Sequence, residues 1–196
     1  HGSGYGLFLT RGEAALSLSA AREGNSAPMV RMQFSGANPT TDVSATEKLA
    51  GRTIYFIGND RSRWLRDVPQ FGRVCYASLY PGIDLDFYGH EGHIEYDFTV
   101  APGADPQKIQ LQFHGADNLQ IANNGDLVLA AAGREVRFQA PHVYQKSGSR
   151  EDPVAGSFVL LANGRAGFEV GPYDRSRALV IDPVLTYSTY LGGSGN

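Results

Sequence analysis

Residues 83–100 read Ile-Asp-Leu-Asp-Phe-Tyr-Gly-His-Glu-Gly-His-Ile-Glu-Tyr-Asp-Phe-Thr-Val. Successive side chains on a β-strand point to opposite faces, so the alternation in this stretch predicts two paired strands with one apolar and one acidic face. Ile83, Leu85, Phe87, Ile94, Tyr96 and Phe98 share the apolar face; Asp84, Asp86, Glu95 and Asp97 share the other. Two registers are open. A four-residue loop over 89–92 sets Asp86 opposite Glu95 and Asp84 opposite Asp97, whereas a two-residue loop, Glu91-Gly92, sets Asp86 opposite Asp97 and His90 opposite His93. Both place like charges across from one another, which costs up to about 1 kcal/mol per pair unless something positive intervenes.

The same alternation extends along the chain. It recurs at 5–10, 15–20, 29–35, 53–57 and 73–78, and again at 108–113, 119–122, 126–130, 135–139, 142–145, 157–161, 165–170 and 179–181. Asn124-Gly125, Ala132-Gly133, Ser147-Gly148, Asn163-Gly164 and Asp182-Pro183 read as turn signals between these runs. Asn-Gly between alternating runs is a strong hairpin signal, because type I′ turns need positive φ at both central residues. The expected fold class is all-β, an antiparallel β-sandwich with more than about a dozen strands, either one body or two elongated or duplicated halves. Residues 37–51, rich in Thr, Ser, Asp and Ala, read as a loop or a helical turn between Asp42 and Leu49, with Asp42 or Ser44 as its cap. A subdomain joint is expected there or near 59–70. Met32-Gln-Phe-Ser-Gly-Ala-Asn38 echoes Leu111-Gln-Phe-His-Gly-Ala-Asp117. Either a duplicated half-sandwich or a shared strand-exit turn explains it.

Composition narrows the function classes. The 196 residues include 24 Gly and 10 Pro, 42% hydrophobic and 19% charged residues, which excludes coiled coil and disorder and leaves material for a core. A chain of this size buries roughly 70% of its unfolded surface. No apolar run approaches the about 18 to 20 residues that cross a bilayer, so no membrane insertion is expected. With 17 basic and 20 acidic residues and a net charge of -3, nucleic acid is not an expected partner. A single cysteine, Cys75 in Val74-Cys75-Tyr76, forbids an internal disulfide and gives no metal spacing; it reads as a small core residue.

The acidic face is the feature that points furthest toward chemistry. Asp84, Asp86, Glu95 and Asp97 supply the oxygen ligands that calcium takes, and they are the candidate metal residues, with Ca2+ as the one cofactor considered. The competing explanation is neutralisation by guanidinium groups from adjacent strands, Arg73 or Arg137, together with water. A glycosidase carboxylate pair is a distant third reading, since it also needs a concave site and one raised pKa. His90 and His93 can approach at the hairpin tip in the two-residue register, while His114 and His142 stand alone. No catalytic residues are assigned, because Gly-x-Ser-x-Gly, His-Glu-x-x-His and phosphate-loop motifs are missing from the sequence. The 10 Tyr and 10 Phe mostly occupy alternating strand positions, where they fill a core. Trp64, set in the polar stretch Asn59-Asp-Arg-Ser-Arg-Trp64, reads as a loop anchor or as a ligand platform for a glycan.

Several strings together resemble a known bacterial module. They are Tyr5-Gly-Leu-Phe-Leu-Thr10, Val30-Arg-Met-Gln-Phe34 with Gly36-Ala-Asn-Pro39, Tyr55-Phe56 with Gly58-Asn-Asp60, and Tyr80-Pro-Gly-Ile-Asp-Leu85. Glu95-Tyr-Asp-Phe98 with Pro102-Gly-Ala-Asp-Pro106, Tyr173-Asp-Arg-Ser-Arg177, Leu179-Val-Ile-Asp-Pro183 and Tyr187-Ser-Thr-Tyr-Leu-Gly-Gly-Ser-Gly195 continue them. The chain resembles the amino-terminal domain that precedes SBBP-type β-propeller repeats in large secreted or cell-surface proteins. That resemblance implies an extracellular or cell-surface location, a module over 1–183, and a start of the next repeat over 184–196. It implies the following propeller repeats as partner in the same chain and supplies no catalytic residues. The function expected is a non-catalytic structural or adhesion-type module, and the alternative is a carbohydrate-binding module that meets a glycan or a surface protein, with calcium assisting.

Overall fold

The computed structural model describes residues 5–18, 28–55, 62, 64–90 and 93–188. Its strands, in chain order, are β1 (Tyr5–Leu9), β2 (Glu13–Leu18), β3 (Met29–Phe34), β4 (Asp42–Tyr55), β5 (Leu65–Tyr80), β6 (Ile83–His90), β7 (His93–Val100) and β8 (Leu111–His114). They continue as β9 (Asn118–Ile121), β10 (Leu127–Ala131), β11 (Arg134–Phe138), β12 (His142–Ser147), β13 (Arg150–Val154), β14 (Gly156–Leu161), β15 (Arg165–Val170), β16 (Leu179–Asp182) and β17 (Val184–Ser188). The helical content of the described residues is confined to short 3-10 turns such as Pro106–Lys108, which Asp105 caps by accepting from the Gln107 N–H.

Two antiparallel sheets result. The smaller runs β1-β2-β3-β8-β15-β14; the larger runs β13-β12-β16-β7-β17-β11-β10-β9, and β7 carries β6, β5 and β4 on its other side. The expected all-β sandwich is the architecture observed. Its turns follow the expected chemistry at two hairpins, where both residues of Ala132-Gly133 and of Asn163-Gly164 have positive φ, whereas at Asn124-Gly125 and Ser147-Gly148 only the glycine does.

Aromatic rings join the two sheets. Phe34 of the smaller sheet meets Tyr76 of the larger at 5.7 Å, and contacts continue through Phe87, Tyr96 and Phe98 to Phe168, back in the smaller sheet. Most of these pairs are edge-to-face, the arrangement that ring quadrupoles favour by about 0.5–1.5 kcal/mol each beyond burial. Two core tyrosines keep their hydroxyls satisfied at the rim, Tyr76 by donating to the Thr10 carbonyl at 2.7 Å and Tyr80 by donating to the Gln110 carbonyl at 3.1 Å.

Three expectations change. The stretch between Asp42 and Leu49 is neither loop nor helix but the first half of β4, which pairs with β5 from Asp42↔Ala77 to Tyr55↔Leu65. Its composition hides this because, among the described residues, β4 pairs on one side only and nearly all its described side chains are exposed, so no apolar alternation is required of it. From residue 65 onward the proposed joint is continuous strand, as β5 runs unbroken to Tyr80; residues 59–61 and 63 lie outside the described residues. The two echoing strings do not mark two halves: β3 and β8 are neighbours in one sheet, with Met32↔Phe113 and Gln33↔Gln112. Each ends in a glycine at positive φ, Gly36 and Gly115, which supports the shared strand-exit turn.

The segment beyond Pro183 also departs from expectation. It is extended, but β17 lies inside the larger sheet, paired with β7 through Val184↔Glu95 and with β11 from Phe138↔Leu185 to Glu135↔Ser188. Leu185 is 4% exposed and belongs to the core. The folded unit therefore extends at least through Ser188; residues 189–196 lie outside the described residues. Asp182-Pro183 is not a turn either. Ile181↔Phe98 and Val184↔Glu95 keep one register against β7, while the strand on the far side changes from β12 to β11. Proline has no N–H to give a ladder, so a change of partner is a natural place for it.

Candidate functional site

The acidic hairpin adopts the two-residue register, with Asp86↔Asp97, Tyr88↔Glu95 and His90↔His93. Asp84 lies opposite Thr99. The side chains of His90 and His93, and residues 91 and 92, lie outside the described residues. Because β7 continues its register into β16, counting inward from Ile181↔Phe98 and Val184↔Glu95 sets Asp182 opposite Asp97. Asp182 lies opposite His142 in turn. One row across five neighbouring strands therefore reads Cys75, Asp86, Asp97, Asp182, His142 on the face turned away from the core.

Each predicted carboxylate has a different environment. Asp84 is exposed and accepts the Ser78 backbone N–H at 2.7 Å, which holds the irregularity in β5 where Ser78 takes positive φ. Asp86 faces the Arg73 guanidinium at 3.4 Å; Arg73 also reaches Glu47 at 3.0 Å and covers the Tyr88 ring at 4.6 Å. Asp97 accepts the Tyr88 hydroxyl at 2.9 Å. Glu95 sits one row further along, half-buried. Arg73 thus acts as expected, whereas Arg137 is engaged by Asp126 at 2.9 Å and Glu135 at 2.7 Å on another part of the sheet.

Burial and charge act together on the inner pair of this row. Burial pushes the Asp97 carboxyl above the usual carboxylate range, against the Tyr88 hydrogen bond, which pulls it down. Burial also raises Asp182, and with the Asp97 and Glu95 charges beside it the carboxyl is pushed up to about 7. Oδ1 of Asp182 is buried and has no hydrogen-bond partner. Two carboxyl groups set opposite each other cannot both ionise without cost, which favours a single negative charge on the pair over two. Burial likewise raises the Cys75 thiol, which contacts the Thr46 hydroxyl at 3.6 Å; it is half-buried on this outer face, not in the core. A thiol held protonated is a poor nucleophile.

Among the described residues, no group of three or more His, Cys, Asp or Glu side chains is arranged to hold a metal ion. Asp84, Asp86, Glu95 and Asp97 are brought onto one face, where Asp84, Asp86 and Asp97 have separate partners. Millimolar-range calcium is accordingly expected to leave the melting temperature unchanged. Asp86→Ala is expected to destabilise by less than about 1 kcal/mol, the range of partly exposed ion pairs. A calcium-dependent rise in melting temperature that Asp86→Ala abolishes would contradict this assignment.

The other singled-out residues sit apart. Trp64 lies half-buried immediately before β5. His114 is exposed and bonds the Gln33 side chain at 3.1 Å, and His142 stacks on Tyr144 with ring centroids 4.8 Å apart. Two buried polar residues escaped the sequence reading. Gln145, 3% exposed, donates to the carbonyls of Asp174, Arg177 and Ala178 and accepts the Asp174 N–H, clamping the Tyr173-Asp-Arg-Ser-Arg177 loop. Asp126, 7% exposed, accepts from Arg137, from the Asn124 amide and from the Ala140 N–H. Both are fully engaged inside the fold, as buried polar groups must be.

No helix among the described residues is long and apolar enough to cross a membrane. No curated protein and no solved structure matches the chain. Residues 1–184 match a family described as a domain of unknown function, DUF7948, and the chain belongs to that family.

Proposed function

We propose that this domain is a non-catalytic structural module of bacterial secreted or cell-surface proteins, a β-sandwich that anchors SBBP-type β-propeller repeats following it in the same chain. The observation that carries this reading is the position of β17. It leaves Pro183 between β7 and β11, hydrogen-bonded to both, so whatever is joined after Ser188 is fixed to the middle of the larger sheet instead of hanging from an edge. A strand inserted that way transmits orientation and load, because both ladders must break before it moves.

The polar side chains support the same reading. Asp84, Asp86, Asp97, Asp126 and Gln145 are occupied by partners within the domain. Among the described residues, the exposed aromatic rings Phe8 at 54% and Phe71 at 40% stand on different sheets, whereas most other described rings fill the core. A glycan array probed with the 196-residue chain tests the proposal against the carbohydrate-binding alternative. No glycan is expected to bind above background; saturable binding to one glycan class, lost in Trp64→Ala, would replace the structural reading with the carbohydrate one.

A further inference from the structure

We propose that the Asp97–Asp182 pair is a pH-sensitive latch: one proton shared between the two carboxyls fastens β16 to β7, and its loss loosens the flap formed by β16, β12 and β13.

The topology makes the latch consequential. Among the described residues, β13 pairs only with β12, β12 reaches the sheet only through β16, and β16 meets β7 over Leu179↔Val100, Val180↔Thr99 and Ile181↔Phe98. Asp182 is the last residue of β16 and is followed by Pro183, where the ladder changes partner. The pair therefore sits at the point where a three-strand flap joins the body. With the proton present, a carboxyl O–H bridges the two strands. Without it, two carboxylates face each other, and the buried Asp182 Oδ1, which has no partner, gains charge in a place that water does not reach. The proton leaves to solvent; nothing else is exchanged.

The surrounding groups do not compensate that second charge. From β5, Arg73 is committed to Glu47 and Asp86. From β6 come Asp86 and the Tyr88 hydroxyl, which already donates to Asp97. Glu95 of β7 and Glu151 of β13 add negative charge, and Tyr144 of β12 contributes a neutral ring. His142 of β12 lies across from Asp182 with its ring stacked on Tyr144. Lys146 of β12 lies over the Tyr144 ring at 5.8 Å. Tyr96, on the core side of β7, has a buried hydroxyl without a partner.

The sign follows from linkage. A carboxyl whose folded-state pKa is raised keeps its proton while the unfolded or opened chain releases one, so stability is greatest below the ordinary carboxylate range. It is lost as pH rises through the folded value, which for Asp182 is about 7, and levels off above it. Full release of one proton on opening changes the opening equilibrium about tenfold per pH unit within that window.

Hydrogen exchange of the 196-residue chain between pH 5 and 8.5, corrected for intrinsic exchange, reads the latch directly. Protection of β12 and β16 amides is expected to fall by about tenfold or more from pH 5.5 to 8 while β2 and β3 change little. Asp182→Asn, which keeps the shape and removes the second charge, is expected to flatten that dependence, and His142→Gln, which removes the imidazole that lies across from Asp182, to retain it. Should Asp182→Asn not fold, Asp97→Asn also leaves a single ionisable carboxyl and carries the same expectation. Flap protection independent of pH in the natural sequence, or a dependence that His142→Gln removes, would overturn the proposal.

Discussion

A chain ending at Pro183 is expected to lose cooperative folding. Among the described residues, β9, β10 and β11 are joined to the rest of the larger sheet through β17 alone, so its removal detaches three strands and opens two ladders at once. It also uncovers core positions against which Leu185 packs. Leu185→Ala in the full chain is a milder version, with an expected cost of about 2–5 kcal/mol for a buried leucine. Net stabilities of domains are about 5–15 kcal/mol, so the point variant should fold with a lowered denaturant midpoint and the truncated chain should not reach a stable native state. Chemical denaturation followed by circular dichroism and tryptophan fluorescence checks both. A truncated chain that keeps a cooperative transition within about 1 kcal/mol of the full one would show that β17 is dispensable.

The second large effect is expected at Gly115. Its φ is +79°, and a Cβ there would lie 2.2 Å from the Met29 carbonyl oxygen, a backbone atom that cannot rotate away. Gly115→Ala must therefore strain the left-handed residue and also push β8 away from the start of β3, at an expected cost of about 3 kcal/mol or more. Gly148→Ala is the matched control. It too has positive φ, +63°, but its Cβ would meet nothing within 4 Å, so only the conformational penalty of about 1 kcal/mol is expected. Equal losses from the two substitutions would contradict the close approach of β3 and β8.

Much of this architecture was legible because burial on one face imposes alternation. The hairpin at 83–100 declared its faces through Ile83, Leu85, Phe87, Tyr96 and Phe98, and all five are 4% exposed or less. Its register was not legible, since the two loops differ only in which residues count as turn, and pairing decides that in three dimensions. β4 was missed for the converse reason: an exposed outer strand needs no apolar face, and Thr, Ser, Glu and Lys satisfy it as well as a loop. Position and sign offer Arg73 and Arg137 alike as the counter-charge, and the structure gives that part to Arg73. Asp182 was not foreseen, although Leu179-Val-Ile-Asp182 carries a clear signal: buried Leu179 and Ile181 turn toward the core and leave Asp182 with the outward parity of the acidic face. What the residues alone withhold is that a strand 85 positions further along the chain supplies the third carboxylate in the row. The same limit hid β17, whose partners β7 and β11 lie far from it in the chain and place it inside this sheet.

Amide exchange at Val184 and Leu185 tests the anchoring role most directly, because both pair with β7, through Glu95 and Ile94, while Val184 accepts the Gln139 N–H and Leu185 lies opposite Phe138 of β11. If the chain leaves this domain from the middle of the larger sheet, these amides are protected to the same degree as those of Val136 and Phe138 in β11 and exchange only with global unfolding. Exchange at the rate of a free peptide, with β7 and β11 still protected, would contradict the account.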